Sequence, residues 1–391
     1  MSKCEKQMKI PAIYMRGGTS KGVFFLEEDL PTDPIERDKV LLRVIGSPDP
    51  YGQQIDGMGA ATSSTSKVVV ISKSDQPGCD VNYLFGQVAI GQPLVDWSGN
   101  CGNLTSAVGS YAIYRGLIDV PQNGVATVNI WQKNIGKKII AHVPMKDGEV
   151  VELGDFVLDG VAFPAAEIKL EFIDPGADDG DTDGGAMLPT GNPIDILRVP
   201  DVGELEVTLI NAGNPAIFVS ASSMGLTGTE LQGDINSNSE LLKRFEVIRA
   251  HGAVAMGAAE SVEYAMTKRQ HTPKIAFFSE AANYTTSDGK KISSEDINIL
   301  VRILSMGKLH HAMTGTGAVA IAAAAAIPGT IVSRILGNTM SELRFGHPSG
   351  SLRVGAVAEN EDKGWVVKKV VMSRSARRLM EGSVLIPKTI E

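Results

Sequence analysis

The sequence predicts an α+β protein built as two pseudo-symmetric domains, each a strongly curved sheet wrapped around one central helix. Three observations predict this. Ser98-Gly99-Asn100-Cys101-Gly102-Asn103-Leu104-Thr105 and His310-His311-Ala312-Met313-Thr314-Gly315-Thr316-Gly317 are two Gly and hydroxyl or amide clusters, and each runs into an apolar stretch with no polar face. Short strand-like runs surround both. An Asp- and Gly-rich stretch, residues 174–185, separates them.

In the first half, strand-like runs fall at 10–15, 22–26, 67–71 and 82–90, and a hairpin spans 126–143 with its turn near Asn134-Ile135-Gly136. The helix of this half is expected over 103–114, stopped by Gly116. The stretch holding Asp174, Asp178, Asp179, Asp181 and Asp183 lacks the EF-hand spacing and its closing Glu, so it reads as a solvated connector. The boundary is placed there, giving halves 1–184 and 185–391, with the final strand near 376–391 able to return to the first half. In the second half, strands at 205–210 and 216–220 flank the turn Asn211-Ala212-Gly213-Asn214-Pro215. A long helix follows Ser237 to Ser239, then strands at 274–278 and 297–304, the second helix opening, and a closing hairpin over 351–358 and 365–372.

Composition narrows the function. The chain has 391 residues, 43% hydrophobic and 21% charged, with a formal net charge of −8, and no Lys/Arg-rich run marks a nucleic-acid partner. Cys4, Cys79 and Cys101 form no CxxC spacing, which fits a reducing cytoplasm. The N-terminus lacks a signal-peptide pattern, and the most apolar run, 318–327, is about half of the ~20 residues that span a bilayer. None of the six histidines shows HxxxH or HExxH spacing, and no phosphate-binding Gly motif is present, so neither metal nor nucleotide cofactor is expected.

Helix N-termini leave N–H groups unpaired and carry the positive end of the macrodipole. Two such openings facing each other make a two-ended anion cradle, suited to a small molecule with several carboxylates. Arg16, Thr19, Ser20 and Lys21 sit in a Gly-rich loop between two strands and supply a bidentate guanidinium, an ammonium and two hydroxyls. The hydroxyl-rich run 56–67, with Ser64 in it, ends on Lys67 at the start of an apolar strand. Lys67 is either a desolvated base or an ordinary strand-end lysine. Cys101, where the first helix opens, is a thiolate base or a small buried residue, and its counterpart in the second opening is Thr314. Adjacent His310 and His311, if on a strand, point to opposite faces, so at most one faces the cleft.

Asn100-Cys101-Gly102-Asn103 and Thr314-Gly315-Thr316-Gly317 resemble the paired half-sites of the diaminopimelate epimerase fold, and 211–215 resembles its Gly-Asn-Pro element. The loop 15–22, the run 56–67, the segment 344–350 with Ser349, and Arg377-Arg378-Leu379-Met380-Glu381-Gly382 are similar to the PrpF family, the 2-methylaconitate cis-trans isomerases. The resemblance spans nearly the whole chain. It implies a cofactor-independent isomerase converting 2-methyl-trans-aconitate to 2-methyl-cis-aconitate in propionate breakdown, linked to an iron–sulfur 2-methylcitrate dehydratase. Lys67 is the family position of the base, with Cys101 assisting. Arg16, Thr19, Ser20, Lys21, Ser64, Asn100, Gly102, Asn103, His310, Thr314, Gly315, Thr316 and Ser349 would bind the tricarboxylate. Alternatives are a methylitaconate-type double-bond shift and a non-catalytic tricarboxylate-binding protein. The resemblance also allows a homodimer.

Overall fold

The computed structural model describes residues 7–176, 186–362 and 364–388. The proposed boundary and most of the acidic connector lie outside these. Setting aside two-residue strands and helices of six residues or fewer, the first half contains β1 (Met8–Gly17), β2 (Ser20–Leu26), α1 (Pro34–Ile45), β3 (Lys67–Lys73), β4 (Val81–Val88), α2 (Thr105–Tyr114), β5 (Gly124–Gln132), β6 (Lys137–Lys146) and β7 (Ile168–Ile173). After β8 (Asp195–Val199), the second contains β9 (Gly203–Ala212), β10 (Asn214–Ser220), α3 (Ser239–Ala255), β11 (Lys274–Glu280), β12 (Ile299–Ser305), α4 (Gly315–Ala326), β13 (Glu342–His347), β14 (Gly350–Glu361) and β15 (Gly364–Arg374); β16 (Ala376–Ile386) ends the described chain.

The pairing order occurs twice. From β1 to β7, successive strands pair antiparallel, parallel, antiparallel, parallel, antiparallel, antiparallel. From β9 to β15 the same senses recur in the same order. In each half, one buried helix is inserted between the fourth and fifth strands of the series. The halves are stitched together by β7 with β15 and by β16 along the length of β1.

Alternation along the strands sets the layers. Phe24, Val69 and Ile71 face inward with Val108 and Tyr111 of α2, while Phe25, Val68 and Val70 face outward against Val40, Leu41 and Val44 of α1. In the second half Phe218, Ala276 and Phe278 face α4, and Ile217, Ile275 and Phe277 face Phe245 and Ile248 of α3. All residues of α4 are buried. Its sequence, Gly-Thr-Gly-Ala-Val-Ala-Ile followed by five alanines, is apolar on every side, as a helix enclosed by sheet must be. The small side chains let the strands close around it.

The boundaries expected from sequence match to within a few residues, with one systematic shift. The α2 helix starts at Thr105, not 103, because Gly102 and Asn103 remain outside the helical ladder. The helix α1, capped by Asp33 with Pro34 in its first turn, was not anticipated. Its apolar residues cover one sheet face only, and its mean composition is polar.

Ala323 lies wholly inside this core. Ala323→Leu should therefore overpack the helix–sheet contact and destabilise the protein by about 1–3 kcal/mol. Urea unfolding checks this, and unchanged stability would contradict an enclosed α4.

Candidate active site

The two helix openings meet. A methyl group on Gly102 would stand 2.7 Å from the carbonyl carbon of Gly315, and one on Gly315 would stand 2.4 Å from the amide nitrogen of Asn103. No real side-chain carbon fits at such distances, so both positions require glycine. Cys101 and Thr314 flank this contact at equivalent positions.

Matching hydrogen bonds brace the contact from either side. Asn214, the first residue of β10, accepts from the Asn100 amide at 2.7 Å and donates through Nδ2 to the Asn100 carbonyl and to Thr316 Oγ1. Thr19, in the turn between β1 and β2, accepts from Asn103 Nδ2 at 3.0 Å and donates to the Met313 carbonyl at 3.4 Å; Asn103 Nδ2 also reaches that carbonyl. Thr314 caps α4 by accepting from Gly317 N–H. Among the described residues, the N–H groups of Gly102, Asn103, Gly315 and Thr316 meet no acceptor. The fully buried Asn100 Nδ2 likewise has none. Buried donors without acceptors at two helix N-termini are what an anion cradle presents.

Lys67 is 5% exposed and Cys101 7%. Lys67 is the first residue of β3, and its Nζ donates to Gln87 Oε1 at 2.7 Å and lies 4.9 Å from the Phe85 ring centre. Burial pushes its pKa down, opposed by the adjacent Cys101 sulfur. The ordinary strand-end reading of Lys67 is thus not what the structure contains: its amine is enclosed.

Sequence reasoning missed a second buried amine. Lys274 Nζ contacts His271 Nδ1 at 3.1 Å and donates to Ser305 Oγ at 3.0 Å. Burial, with Lys67 as the next cause, lowers it to about 7. His271 is held well below its usual range by burial and then by Lys274 and Lys67. Arg374, fully buried beside Asn103 Oδ1, is lowered by burial to about 10. Among the described residues no carboxylate oxygen bonds Lys67, Lys274 or Arg374. Buried cations are normally paired. Here the interior supplies donors and leaves the anion to come from elsewhere. The signal for Lys274 was available: Lys-Val-Val-Val-Ile-Ser-Lys of β3 and Lys-Ile-Ala-Phe-Phe-Ser-Glu of β11 share their pattern and their burial profile.

A cleft of about 1080 Å³ opens beside this centre, lined by residues from Arg16 to Lys21, Ala61 to Thr65, 160–165 and Ser305 to His311, with Arg377. Lys67, Cys101, Gly102 and Gly315 do not line it. Of these, Lys67 is close enough to His310, which does line it, to lower the His310 pKa. Arg16 is bound to the Gly18 and Ser375 carbonyls and to Ser375 Oγ, so its guanidinium is fixed at the wall, with its pKa lowered by burial and by Arg377. Lys21 stands 5.4 Å from the Tyr14 ring centre. Ser20 is buried at the same wall.

The histidine expectation is corrected. His310 and His311 lie beyond the strand that ends at Leu309, so strand alternation does not separate them. Their rings stack at 4.7 Å, and both reach Ser64 Oγ, His310 through Nε2 at 3.1 Å and His311 through Nδ1 at 3.3 Å. Because His310 Nδ1 accepts from the Ala312 amide, its Nε2 carries the hydrogen and donates to Ser64. Burial lowers both histidines. Ser349 does not line the cleft; its Oγ donates to the His311 carbonyl and so supports the histidine pair from behind. Among the described residues, no cluster of three His, Cys, Asp or Glu side chains could hold a metal ion. Among the described residues, no helix is long and apolar enough to cross a membrane.

Gly102→Ala should force the two helix openings apart. Calorimetric titration with tricarballylate, an unreactive tricarboxylate, is expected to show at least tenfold weaker binding, about 1.4 kcal/mol or more. Unchanged affinity would remove the cradle from the binding site.

Comparison with known proteins agrees with this architecture. The family model described as PrpF protein matches residues 7–387. A 2-methyl-aconitate isomerase of Shewanella oneidensis is 61% identical over 390 residues, covering 98% of each chain. One of Cupriavidus necator is 62% identical over 389 residues, covering 97% of this chain and 98% of that one. The crystal structure of a methylitaconate-delta-isomerase superposes with a TM-score of 0.76 at 39% identity, covering 98% of this chain and 97% of the other. On a match that takes in nearly every residue, including both helix openings and the lysine-led strand before each, the chain belongs to the PrpF family.

Proposed function

We propose that this chain, an isomerase, interconverts 2-methyl-trans-aconitate and 2-methyl-cis-aconitate. The observation that carries the reading is an enclosed amine, Lys67, set beside two abutting helix openings whose N–H groups await an acceptor. The 61–62% identity to the two 2-methyl-aconitate isomerases supports this substrate over the methylitaconate-type shift, whose structurally compared representative is 39% identical.

The chemistry follows from the groups present. Neutral Lys67 takes a proton from the methylene carbon next to a carboxylate. The electron pair left behind delocalises through the alkene into a conjugated carboxylate, giving a dienolate. The former double bond now has single-bond character and rotates. Lys67, as the ammonium, returns the proton to the same carbon, so substrate and product differ only in geometry. The N–H groups of Gly102, Asn103, Gly315 and Thr316 stabilise the carboxylates and the spread charge. Cys101 lies beside Lys67, outside the lining of the cleft. Arg16, Thr19, Ser20 and Lys21, with Ser64 and His310, close the wall around the remaining carboxylate. The halves 1–184 and 185–391 act as the two jaws. A dehydratase acting on 2-methylcitrate is the supplying reaction.

NMR of methylaconitate in deuterated water tests the reading. One isomer should convert to the other with deuterium entering the methylene position. Lys67→Ala should lower kcat by ~10²–10⁴-fold, while Cys101→Ser should alter mainly KM. Near-normal kcat in Lys67→Ala, with collapse in Cys101→Ser, would make the thiolate the base. Turnover should also persist after dialysis against a chelator, since the described residues offer no ligand cluster; a requirement for an added divalent ion would contradict this.

A further inference from the structure

At the cleft, two adjacent histidines and one serine form a chain of hydrogen bonds whose direction is fixed link by link. It starts at a backbone amide, which can only donate: Ala312 N–H gives to His310 Nδ1 at 3.0 Å. A neutral imidazole carries one hydrogen, so that of His310 sits on Nε2 and goes to Ser64 Oγ at 3.1 Å. Ser64 has one hydroxyl hydrogen of its own. Among the described residues its Oγ bonds only the two histidines, and His310 Nε2 is already a donor. The acceptor left for the Ser64 hydroxyl is His311 Nδ1, at 3.3 Å. His311 therefore carries its hydrogen on Nε2.

That Nε2 is the free end of the chain. Among the described residues it meets no acceptor, it is not one of the enclosed polar atoms, and the His311 side chain lines the cleft. Both ring nitrogens of His310 are spent inside the chain, so His310 completes the wall but has no hydrogen to offer a ligand. The His311 ring is held in place: it stacks on His310 at 4.7 Å, and the His311 carbonyl accepts from Ser349 Oγ. Burial disfavours the charged form of both rings.

A second observation points to an anion here. Lys21, Arg16 and Arg377 are direct cross-strand neighbours on β2, β1 and β16, and all three line the same cleft. Like charges set opposite one another in a sheet are unfavourable unless an anion joins them. Glu152, also in the lining, is already engaged by Tyr114 Oη and the Arg378 amide.

We propose that His311 is a substrate-binding residue whose Nε2–H donates to a carboxylate in the cleft, and that His310 and Ser64 are positioning residues that hold it in this tautomer. The proposal rests on the reading that the cleft takes a tricarboxylate. The cations attract a polyanion from any direction, whereas one oriented N–H selects where a single carboxylate oxygen comes to rest.

The test is long-range ¹H–¹⁵N NMR of protein labelled with ¹⁵N-histidine, with and without tricarballylate, assigned by His310→Gln and His311→Gln, alongside calorimetric titration. In the unmodified protein both histidines should show the Nε2–H pattern, and tricarballylate should move the His311 Nε2 resonance. His311→Ala should weaken tricarballylate binding about tenfold. His311→Gln, whose amide can place an N–H near the same point, should recover most of that loss. Ser64→Ala should raise the share of Nδ1–H tautomer at His311, and Ser64→Thr, which keeps the hydroxyl, should not. An Nδ1–H tautomer at His311 in the unmodified protein overturns the proposal. So does tricarballylate that binds and leaves the His311 Nε2 resonance unmoved. An unchanged tautomer in Ser64→Ala overturns the positioning role of Ser64. Tricarballylate that fails to bind overturns the tricarboxylate reading of the cleft instead, and the tautomer then decides the hydrogen-bond chain on its own.

Discussion

The backbone contact between Gly102 and Gly315 governs the arrangement of the centre. It brings two helix N-termini end to end, and each helix is surrounded by the strands of its own half, so the geometry of both halves converges on one pair of residues without side chains. Any larger residue would separate the helices and move the donors that point between them. The bracing bonds of Asn214 and Thr19 make sense in this light. They tie the turn of each half to the helix opening of both, so neither opening can drift without straining the other.

The interior holds an unusual balance of charge. Lys67, Lys274 and Arg374 are all enclosed, and Asp96, the carboxylate that acts on Lys274, is already engaged by two backbone amides. An interior of this kind disfavours the charged form of its amines and favours an incoming polyanion. The same desolvation that prepares a neutral amine for proton removal also strengthens every hydrogen bond to the dienolate formed by that step. The protein's overall charge of −8 contributes nothing to this attraction, which is local.

Much of this was legible in the sequence because small residues are hard to disguise. The glycines of the two helix openings and the all-apolar run after Thr316 have few structural explanations, and the fold places them as that reading implied, whereas Lys67 stood between a base and a strand-end lysine until its burial was seen. The residues that were missed are those whose meaning depends on pairing. Lys274 and Gln87 become informative only once register sets them opposite partners, and Asp96 only once its carboxylate is seen capping the backbone of Ser98 and of distant His271. His310 and His311 were misread for a related reason. Alternation was applied to residues that lie just past a strand's end, where the chain is free to turn both rings the same way.

The pairing of β16 along β1 has a consequence for how the chain reaches this state. Met8 finds its partner in Ile386 and Gly17 in Ala376, so the first strand made is completed by the last one described. Contacts so distant in sequence carry a large loop-closure cost before they return any stabilisation. During synthesis the N-terminal sheet must therefore wait with one edge uncovered, and the Arg16 loop beside it stays without the Ser375 carbonyl that later fixes its guanidinium. The Arg16 part of the cleft wall is thus complete only when the end of the chain has docked on its beginning.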